Sequence, residues 1–198
     1  MTFKELTYLW RADLYRYAGR ADNKSFFKYW LLDPGFQYTF YMRLCGYLKK
    51  IQSNPIAKLL YFPILLLFKH YEYKYGVHIP ARTRVGAGLY MGHPGAIYVH
   101  PDAIIGKNCN LSQCVTLGQS NRGARQGYPV VGDNVYIGPG AKIVGGVTIG
   151  NNVAIGANCV VTKDIPDQAV VVGVPGRVIS YEGVEGYIEN IDYERVLR

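Results

Sequence analysis

Val131-Gly-Asp-Asn-Val-Tyr-Ile137-Gly-Pro-Gly-Ala-Lys-Ile143-Val-Gly-Gly-Val-Thr-Ile149-Gly-Asn-Asn-Val-Ala-Ile155-Gly-Ala-Asn-Cys-Val-Val161 decides the fold. An aliphatic residue recurs every six positions. Two earlier runs keep the same period: Ile79, Val85, Met91, Ile97, and then Val99, Ile105, Leu111, Leu117. Gly86, Gly92, Gly106, Gly118, Gly132, Gly138, Gly150 and Gly156 follow them. Four positions after each aliphatic stands another compact side chain, such as Ala103, Cys109, Val115, Ala141 or Cys159. Period six is neither helical nor a strand alternation. It marks a hexapeptide parallel β-helix, with one short strand per repeat and three repeats per triangular coil. The aliphatics point inward, and Gly and Asn turn the corners because they accept positive φ.

The period breaks twice. Met91 to Val99 is eight residues, two more than six, within Gly92-His93-Pro94-Gly95-Ala96-Ile97-Tyr98. Leu117 to Val131 is fourteen, and the excess is a polar loop over residues 119–129. Irregular segments on a rigid scaffold are where function concentrates.

Outward from the repeats, the chain divides into a helical region (1–75), the coils (76–180) and a tail (181–198). Residues 3–18 fit a helix with an aromatic stripe, stopped by Gly19. Lys24–Leu32 reads as a second helix, with Asp33-Pro34-Gly35 as a turn or helix start. Phe36–Ile51 is an amphipathic helix with Phe40, Leu44, Tyr47, Leu48 and Ile51 on one side. A last helix runs from about Ile56 to Tyr75, with Pro63 as a place for a kink. The tail reads as a short helix or loose segment. The basic, aromatic front has a plain reading, core packing and subunit contacts. Its sharper reading is a peripheral membrane surface.

The chain has 198 residues, a net charge of +8 and an apolar half. Its basic front carries no nucleic-acid motif, so no nucleic-acid partner is expected. The longest apolar run, residues 56–68, has thirteen residues with Lys58 and Pro63 inside, too short to span a bilayer. With no apolar signal core at the N-terminus, the expected location is the cytoplasm, with the inner face of the membrane as the sharper alternative. The four cysteines form no C-x-x-C pair, and Cys109 and Cys159 read as small buried hydrophobes. No His/Cys/Asp cluster has metal-ligand spacing.

Histidine is the residue type suited to moving a proton near neutral pH. His70 lies in an apolar helix, His78 precedes the first coil, and His100 falls at a coil corner. His93 sits in the two-residue break, beside Pro94 and between Gly92 and Gly95. By position it is the candidate general base.

Gly76-Val-His-Ile-Pro80, Val85-Gly-Ala-Gly88, His93-Pro-Gly-Ala-Ile-Tyr-Val99 and Cys114-Val-Thr-Leu-Gly118 together resemble the serine O-acetyltransferase family in its hexapeptide domain. The similarity covers about residues 76–180. Asp13-Leu-Tyr-Arg-Tyr17 and Asp33-Pro-Gly-Phe-Gln-Tyr-Thr-Phe-Tyr-Met-Arg43 place it nearer the branch found in bacterial polysaccharide clusters. The resemblance implies a left-handed β-helix, acetyl-CoA as donor, no metal, and a homotrimer with sites between neighbouring coils. It puts the base at His93 and the donor-binding positions at Gly138, Ala157, Thr162, Lys163 and Arg177.

The departures bear on the acceptor. The family aspartate that pairs with the histidine is replaced by His78, which becomes a possible orienting partner. The acid before the histidine is Gly92, and the Arg-His pair ending the long loop is Gly127-Tyr128. A free amino acid needs partners for its carboxylate and ammonium. The expectation is therefore a sugar or oligosaccharide acceptor, lipid-linked or not, in surface-polysaccharide assembly. Tyr98 and Tyr128 would stack on the ring, and Arg122 and Arg125 would meet its anionic groups. The alternatives are serine O-acetyltransfer for cysteine synthesis and a non-catalytic scaffold. The ending Val196-Leu-Arg198 lacks the family's terminal Ile, which also points away from serine.

Overall fold

The computed structural model describes residues 1–197. Four helices come first: α1 (Phe3–Ala18), α2 (Asn23–Leu32), α3 (Pro34–Lys50) and α4 (Pro55–Tyr75). Their ends follow from local chemistry. Thr2 and Glu5 form a capping box on α1. Asp22, Asp33 and Asn54 cap α2, α3 and α4 with their side chains. Pro34 and Pro55 stand at first-turn positions, where a missing N–H costs nothing. Gly19 and Gly76 end α1 and α4 in the left-handed conformation, at φ 64° and 60°. α4 continues through Pro63 as one element.

The coils follow as strands of two to four residues. One sheet holds β1 (Val77–His78), β3 (Ile97–Val99), β6 (Thr116–Gly118), β9 (Lys142–Val144) and β12 (Val160–Val161). A second holds β2 (Arg84–Val85), β4 (Ile104–Ile105), β7 (Val130–Val131) and β10 (Thr148–Ile149). The third holds β5 (Asn110–Leu111), β8 (Tyr136–Ile137), β11 (Ala154–Ile155), β13 (Val170–Val172) and β14 (Arg177–Ser180). All pairings are parallel except β13 with β14. Thirteen of the fourteen six-spaced aliphatics are at most 2 % exposed. Val85, the exception, lines a cavity of about 710 Å³ between α3, α4 and the first coil.

Register turns the phase breaks into geometry. Regular coils pair residues 18 apart, as Ile143 with Val161 and Ile137 with Ile155. Where the short break intervenes the separation is 20, as Val77 with Ile97. Where the loop intervenes it is 26, as Leu117 with Ile143. Every insertion therefore leaves at a corner, and the core stays in step. Asn108, Asn134 and Asn152 turn equivalent corners at φ 57°, 55° and 55°. Their amides form a ladder of 2.9 Å hydrogen bonds.

The helical layer is pinned to the first coil by buried polar groups. Arg43 donates to both Asp13 carboxylate oxygens at 2.5 and 2.9 Å, and to the Gly86 carbonyl at 2.7 Å. Asp13 also accepts from the amides of Gly88 and Leu89 at 3.0 Å. Burial raises the Asp13 carboxyl pKa, while Arg43 and the two amides oppose that rise. Arg16 donates to Gly88 O and Asn110 Oδ1 at 2.7 Å. The Tyr38 hydroxyl accepts from Ile79 N at 2.8 Å and donates to Ile79 O. The polar residues of the two N-terminal motifs thus fasten helices onto coils. At the other end, β14 closes its sheet antiparallel to β13. Residues 181–197 fold back, and Tyr193 of α5 (Tyr193–Val196) is buried against Tyr8 and Tyr15 of α1.

Candidate active site

The two-residue break is tied at both ends and open between. Met91 is buried, and its amide donates to the Tyr17 hydroxyl at 3.0 Å. Gly35 at the start of α3 packs so closely that a Cβ there would lie 2.2 Å from Met91 O. Beyond the break, Ile97 N donates to Gly76 O and Cys114 N to Gly95 O. Between these anchors His93 is exposed, and no hydrogen bond from the described residues reaches its ring. A Cβ on Gly95 would meet nothing within 4 Å. A Cβ on Gly92 would meet the Tyr90 hydroxyl at 2.9 Å. A phenol therefore occupies the space beside residue 92, where the resembling family carries an acid.

His78 is the ring with a carboxylate partner. Its Nδ1 lies 3.1 Å from Glu72 Oε1, to which Lys69 Nζ also donates at 2.8 Å. Glu72 is 7 % exposed, and its Oε2 is buried without a partner among the described residues. With the proton on Nδ1, Nε2 of His78 keeps a lone pair for a ligand. No hydrogen bond joins His78 to His93 among the described residues. Sequence reasoning missed Glu72. The signal was there: it is the one acid in α4, a turn before the Gly76 corner that swings the chain onto β1.

On the outer face of the first sheet, His78 lies beside Tyr98 in register, with rings 6.2 Å apart. Tyr98 is 55 % exposed. The loop is a small hairpin in which Ser120 and Gly127 exchange backbone hydrogen bonds. It lies against the next coil, with Gly146 N donating to Arg125 O at 2.8 Å. Arg125 pairs with Asp164 at 2.8 Å, and that contact, with the Thr148 amide, lowers the Asp164 pKa. Tyr128 stacks on His100 with centroids 4.3 Å apart. Arg125 and Tyr128 thus also have partners within the chain. Tyr98 and Arg122 remain exposed.

Three of the five donor positions converge. Thr162, Lys163 and Arg177 line one cleft of about 290 Å³ with Val161, Ile165, Pro175 and Gly176. Gly176 N donates to Val160 O at 2.8 Å, which seats Arg177 beside the end of β12. Ala157 is exposed at its corner. Gly138 is buried: its N–H donates to Ile155 O, and its carbonyl accepts from Ala141. A Cβ there would lie 2.8 Å from Ile155 O, so this corner packs closely on the next coil. Among the described residues no three His, Cys, Asp or Glu side chains cluster as a metal site.

Stacked six-residue repeats with this corner chemistry define a hexapeptide-repeat transferase, and residues 128–163 match the family model "Bacterial transferase hexapeptide (six repeats)". A serine acetyltransferase of Synechococcus elongatus is 35 % identical over 163 residues, 82 % of this chain and 63 % of the relative. Soybean serine acetyltransferase is 32 % identical with a TM-score of 0.70, over 88 % of this chain and 69 % of that one. A Brucella abortus serine acetyltransferase solved with coenzyme A is 28 % identical with a TM-score of 0.72, over 89 % and 68 %. The chain belongs to the serine acetyltransferase family and shares its left-handed β-helix. It spans a little under two thirds of the curated Synechococcus relative's length.

These relatives overturn the expectation of a sugar acceptor in surface-polysaccharide assembly, and the assignment to that branch with it. The substitutions at the family's motif positions do not leave the region without charged groups. Glu72 arrives from a helix, through space, and Arg122 is present within the loop although the residues at its end differ.

Proposed function

We propose that the protein is an acetyl-CoA-dependent serine O-acetyltransferase, making the activated serine used in cysteine synthesis. The observation that carries this reading is the exposed His93, held by fixed anchors beside open space. It stands at one end of the sheet whose last strand, β12, runs into the Thr162–Lys163–Arg177 cleft. β3 and β12 are three strand steps apart, roughly 14 Å at 4.8 Å per step. That distance suits an extended pantetheine arm, with the coenzyme phosphates on Lys163 and Arg177 and a hydrogen bond from Thr162.

Acetyl-CoA supplies the thioester carbonyl. His93 takes the proton of the serine hydroxyl as its oxygen attacks, and returns that proton to the departing thiolate. Such acid–base help is worth about a hundred- to ten-thousandfold. Arg122 is the charge available to the serine carboxylate, and the Tyr98 face is available to its ammonium. Glu72 holds the His78 ring beside Tyr98 on the outer face of the first sheet. Sites of this kind would lie between neighbouring coils of a homotrimer, the assembly expected from the resemblance.

The test is release of free thiol from acetyl-CoA with serine. Turnover with serine and its loss in His93→Ala, with unchanged sedimentation, supports the reading. No thiol release with serine, or full activity in His93→Ala, refutes it.

A further inference from the structure

α4 has two apolar faces and uses one. Ala57 and Phe68 are buried, Phe68 with its ring 5.4 Å from that of Tyr38 in α3. The other face is bare. Ile56, Leu59, Leu60, Phe62, Leu66 and Leu67 are 67, 76, 47, 64, 54 and 41 % exposed. At 100° per residue these six fall within an arc of about 160°. Scattered exposed leucines are ordinary, but a contiguous row of this size marks an interaction surface.

The charges around the row identify the partner. Lys58 and Lys69 border it, and Lys49 and Lys50 end the neighbouring α3. The one acid on α4, Glu72, faces inward and is held by Lys69 and His78. Residues 1–84 carry fourteen Lys and Arg against five Asp and Glu, and the remaining residues carry eight against nine. A second copy applied to this face would bring like charges together with no acid to meet them. A bilayer with anionic headgroups satisfies both features. Among the described residues no helix is long and apolar enough to cross a membrane, so α4 can lie on a bilayer but not span it.

We propose that α4 is a monotopic membrane surface. Its outer row enters the boundary between headgroups and acyl chains, and Lys49, Lys50 and Lys58 meet lipid phosphates. The proposal is independent of the acceptor assigned to the active site.

The test is flotation of the full chain with two kinds of vesicle at low ionic strength: phosphatidylcholine alone, and phosphatidylcholine with about one third phosphatidylglycerol. The chain should float with the anionic vesicles and lose binding as salt is raised. Leu59→Ser with Phe62→Ser should lower the bound fraction at least about tenfold. Lys49→Gln, Lys50→Gln and Lys58→Gln together should do the same on anionic vesicles only. Both variants change exposed residues, and their sedimentation and acetyl transfer should match the parent. Failure to float with anionic vesicles would overturn the proposal, as would unchanged flotation of the serine variant. So would soluble self-association that the serine variant abolishes, which would assign the face to a second copy.

Discussion

Asp13→Ala tests the join between helices and coils. The substitution leaves the Arg43 guanidinium, 5 % exposed, with only the Gly86 and Val85 carbonyls at 2.7 and 3.3 Å. The amides of Gly88 and Leu89 lose their common acceptor. Breaking a buried pair from one side costs about 3–5 kcal/mol. A domain holds only about 5–15 kcal/mol in total, so the loss should loosen the helical layer before the coils. The chain has two tryptophans, Trp10 in α1 and Trp30 in α2, so indole fluorescence reports that layer alone. In urea the fluorescence midpoint should fall by about 2 M, for a slope near 2 kcal/mol per M. Replacing both partners, Asp13→Leu with Arg43→Met, should recover part of the loss because no charge is then buried alone. A change below about 1 kcal/mol in Asp13→Ala would refute the view that this pair fastens the layer.

Lys163→Ala and Arg177→Ala should each raise the KM for acetyl-CoA about tenfold and leave the KM for serine unchanged, as steady-state kinetics would show. Glu72→Gln should raise the KM for serine severalfold through a loosened His78, again by kinetics. Gly106→Ala puts a Cβ 2.4 Å from Gly132 O on the next coil and should cost about 1–3 kcal/mol or more by thermal melting. Gly95→Ala, with nothing within 4 Å, should stay within about 0.5 kcal/mol in the same assay. The depressed Asp164 pKa makes the loop strap pH-dependent: it is intact above the ordinary aspartate range near 4 and is lost as pH falls through the lowered value. Asp164→Asn should mimic that loss at neutral pH, so trypsin should cut after Arg122 and Arg125 faster than in the parent.

The coils were legible because a six-residue rule repeats along one chain, and both insertions were visible as arithmetic departures from it. The helices were legible from Asp33-Pro34, Gly19 and the apolar spacing of α3. Contacts between elements were not. Nothing at positions 13 and 43 says that two charges thirty residues apart meet behind the first coil. The stacking of Tyr128 on His100 and the pairing of Arg125 with Asp164 depend on where the hairpin lies, which its length leaves open. The aromatic front divides in the same way: Trp10 and Phe40, both half-buried, stack on each other, while the outer row of α4 stays bare.

Both open ends of the stack are stoppered. Tyr38 occupies the N–H and carbonyl of Ile79 at one end, and β14 runs against the grain at the other. Without such plugs each terminal rung would offer the same unpaired hydrogen-bonding groups that its neighbours use, and a second molecule could continue the staircase. A chain trimmed to residues 76–170 should therefore grow end to end into filaments. The helices would then have a duty unrelated to chemistry: keeping a self-templating ladder finite.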